Sequence, residues 1–406
     1  MGGSLKLRYG LEDVPPTFEL LLLSLQWLLI LLPIVLVAGK VVAILHFEDV
    51  TSQAMYIRRA FFITGFAILL QLLVGHRLPL VSGPSIVLIV GIAASRGSFE
   101  EIYTSVAVGG LLLILISASG AVSRLFFLFT SRVVAAVLLI VAFSIMPTVV
   151  SLISSLLDFY LFLALLFGMF AARRFLSGIW ESTIAMWAML LGSAIVFAIE
   201  SPPLPRVELL GVPFQTFKPV LNPAIVMSFL VCYLALLIND ISSMESVSFV
   251  GEVKERLRKG VAATGVANVV AGLIGVVGVV NYTLSPGVIA ASRSASRYTL
   301  LPAGVALILF SFFPQLIALA AVIPPTVVAA TLTYFMCSQL AAGIEMLKRS
   351  SFEDVVAISM PVLLSVVVSF MPYSLVGSLP PLLQPLIGNG FVIGVLAAIL
   401  MEKISE

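Results

Sequence analysis

Two short motifs in the sequence combine serine and proline directly before an apolar run. The first is SGPSI at residues 82–86, and the second is LSPG at residues 284–287. Proline is favoured at the start of a helix and serine is a good N-cap, so each motif predicts a helix start. The free N–H groups and positive dipole end of such a start can bind carbonyl oxygens or anions. Residues 78–81 and 279–283, which precede the motifs, are predicted to be extended. Taken singly, each motif would also fit a proline kink in an ordinary membrane span.

Polar residues end the apolar run that begins at Ala224. Asn239 and Asp240 stand at that end, and Glu245 follows further along. A carboxylate at membrane depth is costly unless it is paired or protonated. Asp240 is therefore the predicted proton- or cation-coupling residue, with Glu245 as the second candidate. The alternative, which is stronger for Glu245, is that these acids lie among the lipid headgroups.

The sequence carries no motif of a cofactor, metal or enzyme site. It has no His-Glu metal motif, no Ser/His pair and no Gly-rich phosphate loop. Cys232 and Cys337 are single residues within apolar runs, which is typical of small interior side chains. A net charge of +2 gives no reason to expect a nucleic-acid partner. We expect a protein that is not an enzyme and needs no cofactor, with a membrane-embedded enzyme, a receptor or a channel as weaker alternatives.

Composition indicates that lipid is the main solvent of this chain. Of its 406 residues, 61% are hydrophobic and only 10% are charged, and the mean hydropathy is +1.18. Soluble proteins carry about 25% charged residues. Long apolar runs favour helices over the alternating strands of a membrane barrel. We expect an all-α polytopic membrane protein with about 14 transmembrane segments.

The two Ser/Pro motifs occupy matching positions in two halves of the chain. Pro84 and Pro286 are 202 residues apart, and so are Leu20 and Asn222, where the first and eighth segments begin. With an odd number of segments per half, the second half enters the membrane from the opposite side. This is the inverted repeat found in many secondary transporters.

Basic residues indicate which end of the molecule faces the cytoplasm. With the N-terminus inside, the pair Arg173/Arg174 and the cluster at residues 254–259 both fall on the cytoplasmic side. This agrees with the positive-inside rule. We expect a multi-pass protein of the plasma membrane with both termini in the cytoplasm. His76 and Arg77 are predicted to form a surface pair.

Two longer stretches of sequence carry a family resemblance. Residues 281–304, NYTLSPGVIAASRSASRYTLLPAG, resemble the signature of the nucleobase–ascorbate transporters, which include the uracil and xanthine permeases. Residues 9–28, YGLEDVPPTFELLLLSLQWL, are similar to the opening of that family. The resemblance implies a 7+7 inverted repeat with short β-strands before half-helices 3 and 10. It also implies proton- or sodium-coupled uptake, elevator-like movement of a core domain against a gate domain, and often a homodimer.

The resemblance divides the chain into a core domain of segments 1–4 and 8–11 and a gate domain of segments 5–7 and 12–14. The implied parts are residues 1–19 (cytoplasmic N-terminal segment), 20–122 (core domain, segments 1–4), 123–200 (gate domain, segments 5–7), 201–223 (inter-repeat loop), 224–321 (core domain, segments 8–11) and 322–406 (gate domain, segments 12–14).

The resemblance also implies where the substrate binds. The base-holding Glu of the family's eighth segment corresponds to Asn239. In the tenth segment, Leu284 and Ser285 stand where a Glu or Gln and an Asn are usual, and Ile86 replaces an aromatic residue of the third. A gate-domain Tyr corresponds to Met336. The predicted substrate-binding residues are Ser85, Ile86, Asn239, Asp240, Thr283, Leu284 and Ser285.

Two functions are compatible with this set of residues. Leu284 removes the side-chain acceptor that would read the N–H edge of a nucleobase, while Asp240 and the backbone N–H groups of the half-helices remain. The first hypothesis is proton- or sodium-coupled symport of a nucleobase or related heterocycle across the lipid bilayer. The alternative is a small-anion transporter on the same 7+7 fold, like the sulfate permeases.

Overall fold

The computed structural model describes residues 7–122, 130–177, 179–200, 217–250, 254–282, 284–348, 350–372, 375–376, 378–380 and 383–405. In the first half of the chain it places helices α1 (Thr17–His46), α2 (Val50–Leu73), α3 (Ile86–Ala94), α4 (Phe99–Ala118), α5 (Ser131–Ser144), α6 (Met146–Ser151), α7 (Leu156–Phe175), α8 (Ile179–Ser182) and α9 (Ile184–Glu200). Strand β1 (Ser82–Pro84) precedes α3.

The second half repeats this order. Its helices are α10 (Pro223–Ser246), α11 (Lys254–Leu273), α12 (Ser285–Ser292), α13 (Leu301–Phe310), α14 (Pro314–Ala321), α15 (Pro325–Leu347), α16 (Phe352–Ser369), α17 (Gln384–Ile387) and α18 (Gly390–Ser405). Strand β2 (Val279–Asn281) precedes α12, and 3₁₀ turns cover Ser248–Val250 and Arg297–Leu300. Among the described residues, eight spans are long and apolar enough to cross a membrane, and the bent pair α13–α14 would add a ninth.

Local sequence explains where several long helices begin. Ser98 and Glu101, Ser155 and Asp158, and Ser351 and Asp354 each form a capping box at the start of α4, α7 and α16. In a capping box the serine hydroxyl accepts from a first-turn N–H, and the acid accepts from the N–H of the serine. These caps fix the first turns of three helices that are long and apolar enough to span a membrane.

β1 and β2 pair antiparallel across the two halves of the chain. Ser82 lies opposite Asn281, and Pro84 lies opposite Val279. The pairing continues one residue further, because the Ser85 N–H donates to the carbonyl of Gly278 at 2.8 Å. Strands were predicted before both half-helices, and both occur, although β1 lies at residues 82–84 and not at 78–81.

The two half-helices are present, but their predicted first residues are wrong. α3 begins at Ile86 with Ser85 as its N-cap, whereas Pro84 ends β1. Proline has no N–H to donate and its fixed φ suits a strand end, so the helix starts two residues later than predicted. α12 begins at Ser285, with Leu284 at the N-cap position. At nine and eight residues, both helices are too short to cross a bilayer alone.

The helices pack chiefly in two groups. The first helix group comprises α1–α4 and α10–α14, with its strongest contacts between α4 and α11 and between α2 and α13. The second helix group comprises α5–α9, α15, α16 and α18, with its strongest contacts between α16 and α18 and between α5 and α15, while the short helix α17 contacts both α10 and α18. Each group therefore mixes helices from both halves of the chain, and the strand pair lies inside the first.

Candidate substrate cavity

A cavity of about 540 Å³ lies between the two helix groups. The first helix group and its strand–helix junctions supply one wall, and α7, α8, α9 and α15 supply the other. The lining residues are Ile30, Pro33, Ile34, Ile86, Arg173, Glu181, Ala185, Asn239, Tyr282, Leu284, Val288, Tyr334, Phe335, Ser338, Gln339 and Ala342. A space of this size is within the range of small-molecule binding sites.

Three of the predicted substrate-binding residues meet in the first wall. Ile86 is the first residue of α3, Leu284 is the N-cap of α12, and Asn239 lies two turns before the end of α10. Both half-helix N-termini therefore reach the cavity. The Leu88 N–H is bonded to the N-cap Ser85 and Pro286 has no N–H, so part of each first turn remains to donate to a ligand. Within the described residues, the side-chain amide of Asn239 makes no hydrogen bond with protein and is available to a ligand.

The aromatic ring of Tyr282 completes the first wall. Its hydroxyl donates to the Pro84 carbonyl at 2.6 Å, so the residue after β2 is tied to the residue that ends β1. The ring lies across Gly83, where an added Cβ would come within 2.8 Å of it. A glycine is needed at this position because the ring occupies the space of a side chain.

The second wall contains polar residues that sequence reasoning missed. Arg173 and Glu181 form an ion pair, with Nε and Oε1 3.3 Å apart. Tyr334, Ser338 and Gln339 face the same space from α15. These three residues recur at a helical spacing within an apolar span, and such a polar stripe is the signal that would have identified them. Met336, which was aligned with a gate-domain Tyr, is buried and does not line the cavity.

Asp240 faces away from the cavity. It is fully buried, and its two carboxylate oxygens accept from the Thr264 hydroxyl at 2.8 Å and from the Asn281 N–H at 3.1 Å. No ion pair to this carboxylate occurs in the described part of the chain. Asp240 thus contacts α11 and β2, the strand that leads into half-helix α12.

A second polar cluster continues from Asp240 along β2. The Asn281 side-chain oxygen accepts from the Ser82 hydroxyl at 2.6 Å and from His76 Nε2 at 3.4 Å. His76 Nδ1 accepts from the Leu78 N–H, which places the proton of a neutral ring on Nε2. His76 is therefore a buried residue, and its predicted place in a surface pair is wrong. Arg77 is exposed, as expected.

The hydroxyls of Ser85 and Ser285 form hydrogen bonds within the protein. Ser85 Oγ accepts from the Leu88 N–H at 3.4 Å, and Ser285 Oγ accepts from the Val81 N–H at 3.1 Å. Both serines are buried, and neither lines the cavity. Glu245 is exposed near the end of α10 and also lies outside the cavity lining. Thr283 falls outside the described residues.

Comparison with known proteins agrees with this architecture. The model of a permease family, that of the xanthine and uracil permeases, matches residues 18–374. A search of curated protein sequences gave no significant match. Among solved structures, the transmembrane domain of a cyanobacterium bicarbonate transporter, BicA, is similar with a TM-score of 0.66 and 16% identity. That similarity covers 89% of this chain and 98% of the BicA transmembrane domain.

A second similar structure is the murine Slc26a9 anion transporter in the inward-facing state. Its TM-score is 0.61 at 11% identity, and the similarity covers 97% of this chain and 69% of the Slc26a9 chain. Identities this low show the fold alone, which is the 7+7 inverted repeat predicted from the 202-residue offset. Because the family match extends over most of the chain, this membrane transporter belongs to the xanthine/uracil permease family.

Proposed function

We propose that this protein is a secondary active transporter that carries a nucleobase or related small heterocycle together with H⁺ or Na⁺. The observation that carries the proposal is the side-chain amide of Asn239, which is unbonded among the described residues and faces a cavity with apolar and aromatic walls between two half-helix N-termini. The proposal includes a location in the plasma membrane with both termini in the cytoplasm.

The chemistry of the first wall suits a ring that carries an amide edge. Such an edge presents an N–H donor beside a carbonyl acceptor, and the Asn239 side chain offers the complementary pair. Ring carbonyl oxygens would accept from first-turn N–H groups of α3 and α12. Ile86, Leu284 and Tyr282 provide apolar surface against the faces of a planar ring. A neutral amide at position 239 favours a neutral ring, since no carboxylate is present there to accept two N–H groups.

Asp240 is the proposed coupling residue. Its carboxylate holds the N–H of Asn281 in β2, so a change in its protonation alters a contact of the strand that leads to α12. It also follows Asn239 directly in α10, which places the coupling group next to the residue proposed to hold the substrate. Glu245 is the second candidate for this role.

The movement proposed for transport is a displacement of the first helix group against the second. In this proposal the first group acts as the core domain, with its two half-helices joined by the strand pair, and the second acts as the gate domain. The cavity between them would then open to each side in turn. We propose a homodimer as the assembled form, with the exposed face of α7 that carries Leu156, Tyr160 and Phe167 as a candidate contact surface.

Uptake into proteoliposomes tests this proposal. Purified protein should accumulate radiolabelled uracil or xanthine when an inward H⁺ or Na⁺ gradient is applied, and collapse of that gradient should abolish accumulation. An Asn239→Leu variant should lose uptake while retaining its thermal stability, because the lost amide makes no hydrogen bond to the residues that the structure describes. Equal uptake by Asn239→Leu and the unaltered protein would refute the assignment of this residue.

A small anion is the second candidate cargo. It is supported by the ion-paired Arg173 in the cavity and by the likeness of the fold to a bicarbonate transporter and an anion transporter. Bicarbonate or sulfate uptake that is insensitive to nucleobases, and lost in Arg173→Gln, would favour this cargo. Competition between nucleobases and a labelled heterocycle would favour the first.

A further inference from the structure

A separate cavity of about 210 Å³ lies at the end of α2 against the start of α13. Leu72, Leu73 and Leu301 form its apolar side, and Arg77, Arg297 and Tyr298 form its polar side. It shares no lining residue with the substrate cavity. We infer that this cavity binds the headgroup of an anionic phospholipid from the adjacent leaflet.

The two arginines differ in how much of their hydrogen-bonding capacity is used. Arg297 donates to the Leu72 carbonyl at 3.0 Å and to the Tyr298 hydroxyl at 3.1 Å, and it pairs with Glu12 at 2.7 Å. The Arg77 side chain donates, among the described residues, through Nε alone, to the Leu73 carbonyl at 3.1 Å. Its two terminal nitrogens have no hydrogen-bond partner among the described residues. Four N–H donors of an exposed guanidinium thus remain available for a phosphate.

Positive charge exceeds negative charge around this cavity. Arg256 donates to the carbonyl of Arg77 at 3.0 Å, which brings a third cation to the site. Glu12 is the acid that faces these cations, and its nearest approach to Arg256 is 4.0 Å. Among the side chains that the structure describes here, three arginines against one glutamate leave an excess of positive charge that an anion would neutralise.

The backbone of Arg77 is fixed in the conformation that displays its side chain. Its φ is 55°, in the left-handed region that a non-glycine residue rarely adopts. The Arg77 N–H donates to the Gln71 carbonyl at 3.0 Å, and Arg256 holds the Arg77 carbonyl. The residue is therefore held at the end of α2, where the chain turns away from the helix.

The apolar side of the cavity favours a lipid over a soluble anion. Leu73 and Val74, at the end of α2, are 56% and 64% exposed, so the protein surface beside the arginines is one that contacts acyl chains. A phospholipid places a phosphodiester at the membrane surface directly above such chains, and basic pockets between helices on the cytoplasmic side bind such headgroups. Free phosphate would gain nothing from the leucines.

Native mass spectrometry and thermal unfolding in detergent test this inference. The full chain is titrated with phosphatidylglycerol, phosphatidylcholine of the same acyl composition, or inorganic phosphate. Phosphatidylglycerol should bind and raise the unfolding temperature, whereas the other two should not. Arg77→Gln should weaken phosphatidylglycerol binding about fivefold, from the loss of one cation near the headgroup. Arg77→Lys should retain most of the binding because it keeps the charge.

Arg174→Gln is the matched control, because Arg174 is an exposed arginine at the end of another helix and lies outside this cavity. It should bind phosphatidylglycerol as the unaltered protein does. Equal binding by Arg77→Gln and the unaltered protein would overturn the inference. Protection by inorganic phosphate alone would also overturn it, since the site would then take a soluble anion.

Discussion

Asn239 and Asp240 are adjacent in the sequence but contact different parts of the structure. Successive residues of a helix point about 100° apart, so Asn239 reaches the cavity while Asp240 contacts Thr264 and the backbone of β2. The proposed function assigns substrate contact to the first residue and ion coupling to the second. This division allows each residue to be tested alone.

Replacement of Asp240 tests coupling. Asp240→Asn keeps the volume, and its amide can accept from the Asn281 N–H through Oδ1 and donate to the Thr264 hydroxyl through Nδ2, so the fold should persist, but the side chain can no longer take up or release a proton. Uptake driven by a pH gradient should fall at least tenfold, while substrate exchange without a gradient should continue. The measurement is uptake and exchange in the same proteoliposomes, and proton-driven uptake at the original rate would exclude Asp240 as the coupling group.

Replacement of Leu284 tests the identity of the substrate. Leu284 lines the cavity at the N-cap of α12, where the family usually has a Glu or Gln. Leu284→Glu supplies a carboxylate to accept N–H groups of a nucleobase, and charge-assisted bonds of this kind contribute about 1.5–3 kcal/mol. We expect uracil or xanthine to bind at least tenfold more tightly, as measured by calorimetry. Leu284→Gln is a control for volume, and unchanged affinity in both variants would show that position 284 does not contact the ligand.

Sequence reasoning identified Ile86, Asn239 and Leu284, which do line the cavity, because they follow from the half-helix starts and from the family resemblance. It did not identify Tyr282 or Gln339, and it placed His76 at the surface. These residues depend on contacts between distant segments, such as the bond from Tyr282 to Pro84. A linear pattern does not contain that information.

At the scale of elements, the half-helices depend on the strand pair that precedes them. β1 and β2 pair in a fixed antiparallel register. The Tyr282 ring packs over Gly83, and the Tyr282 hydroxyl donates to the Pro84 carbonyl, which ties the two strand–helix junctions together. Proline and glycine in the first motif were interpreted as helix-start signals, yet both belong to β1. Pro84 ends the strand, and Gly83 leaves space for the Tyr282 ring.

Substitution of Gly83 tests this junction. An added Cβ would lie 2.8 Å from the Tyr282 ring, so Gly83→Ala should displace the ring and destabilise the protein by about 1–3 kcal/mol, the usual result of overpacking. Substrate affinity should fall with it because Tyr282 lines the cavity. Gly168→Ala in α7 is the control, since nothing lies within 4 Å of its added Cβ and alanine favours a helix. Thermal unfolding of both variants is the measurement, and equal stability would contradict the packing argument.

At the scale of the whole molecule, the fold was the most predictable property. The matched positions of Pro84 and Pro286 predicted two inverted halves, and the similar transporter structures confirm that fold. The packing of the helices into two groups could not be predicted from the apolar runs. All spans are similarly apolar, so their composition does not specify which helices contact each other. Lys40 is an example of a contact that an apolar pattern does not predict. It is buried and donates to Gln53 and to the carbonyl of Ala321 at the end of α14.

The orientation of the whole molecule is tested at the two ends of α7. Because α7 crosses the membrane once, Ser154 and Arg174 lie on opposite sides, and basic residues predict that Arg174 is cytoplasmic. In a background of Cys232→Ala and Cys337→Ala, a membrane-impermeant maleimide applied to intact cells should label Ser154→Cys but not Arg174→Cys. Detergent lysis should make both reactive. The reverse labelling pattern would place both termini outside.

The strand pair also has a consequence for how the chain is made. The bonded side chains of Ser82 and Asn281 are 199 residues apart in the sequence, so a ribosome completes β1 long before its partner exists. Until then the polar backbone of β1 lacks its strand partner, and unpaired backbone groups in lipid cost several kcal/mol each. We therefore expect that the N-terminal half does not fold independently and reaches its native structure only after the second half enters the bilayer. When produced alone it should be degraded, and when co-expressed with the second half as a separate chain it should persist.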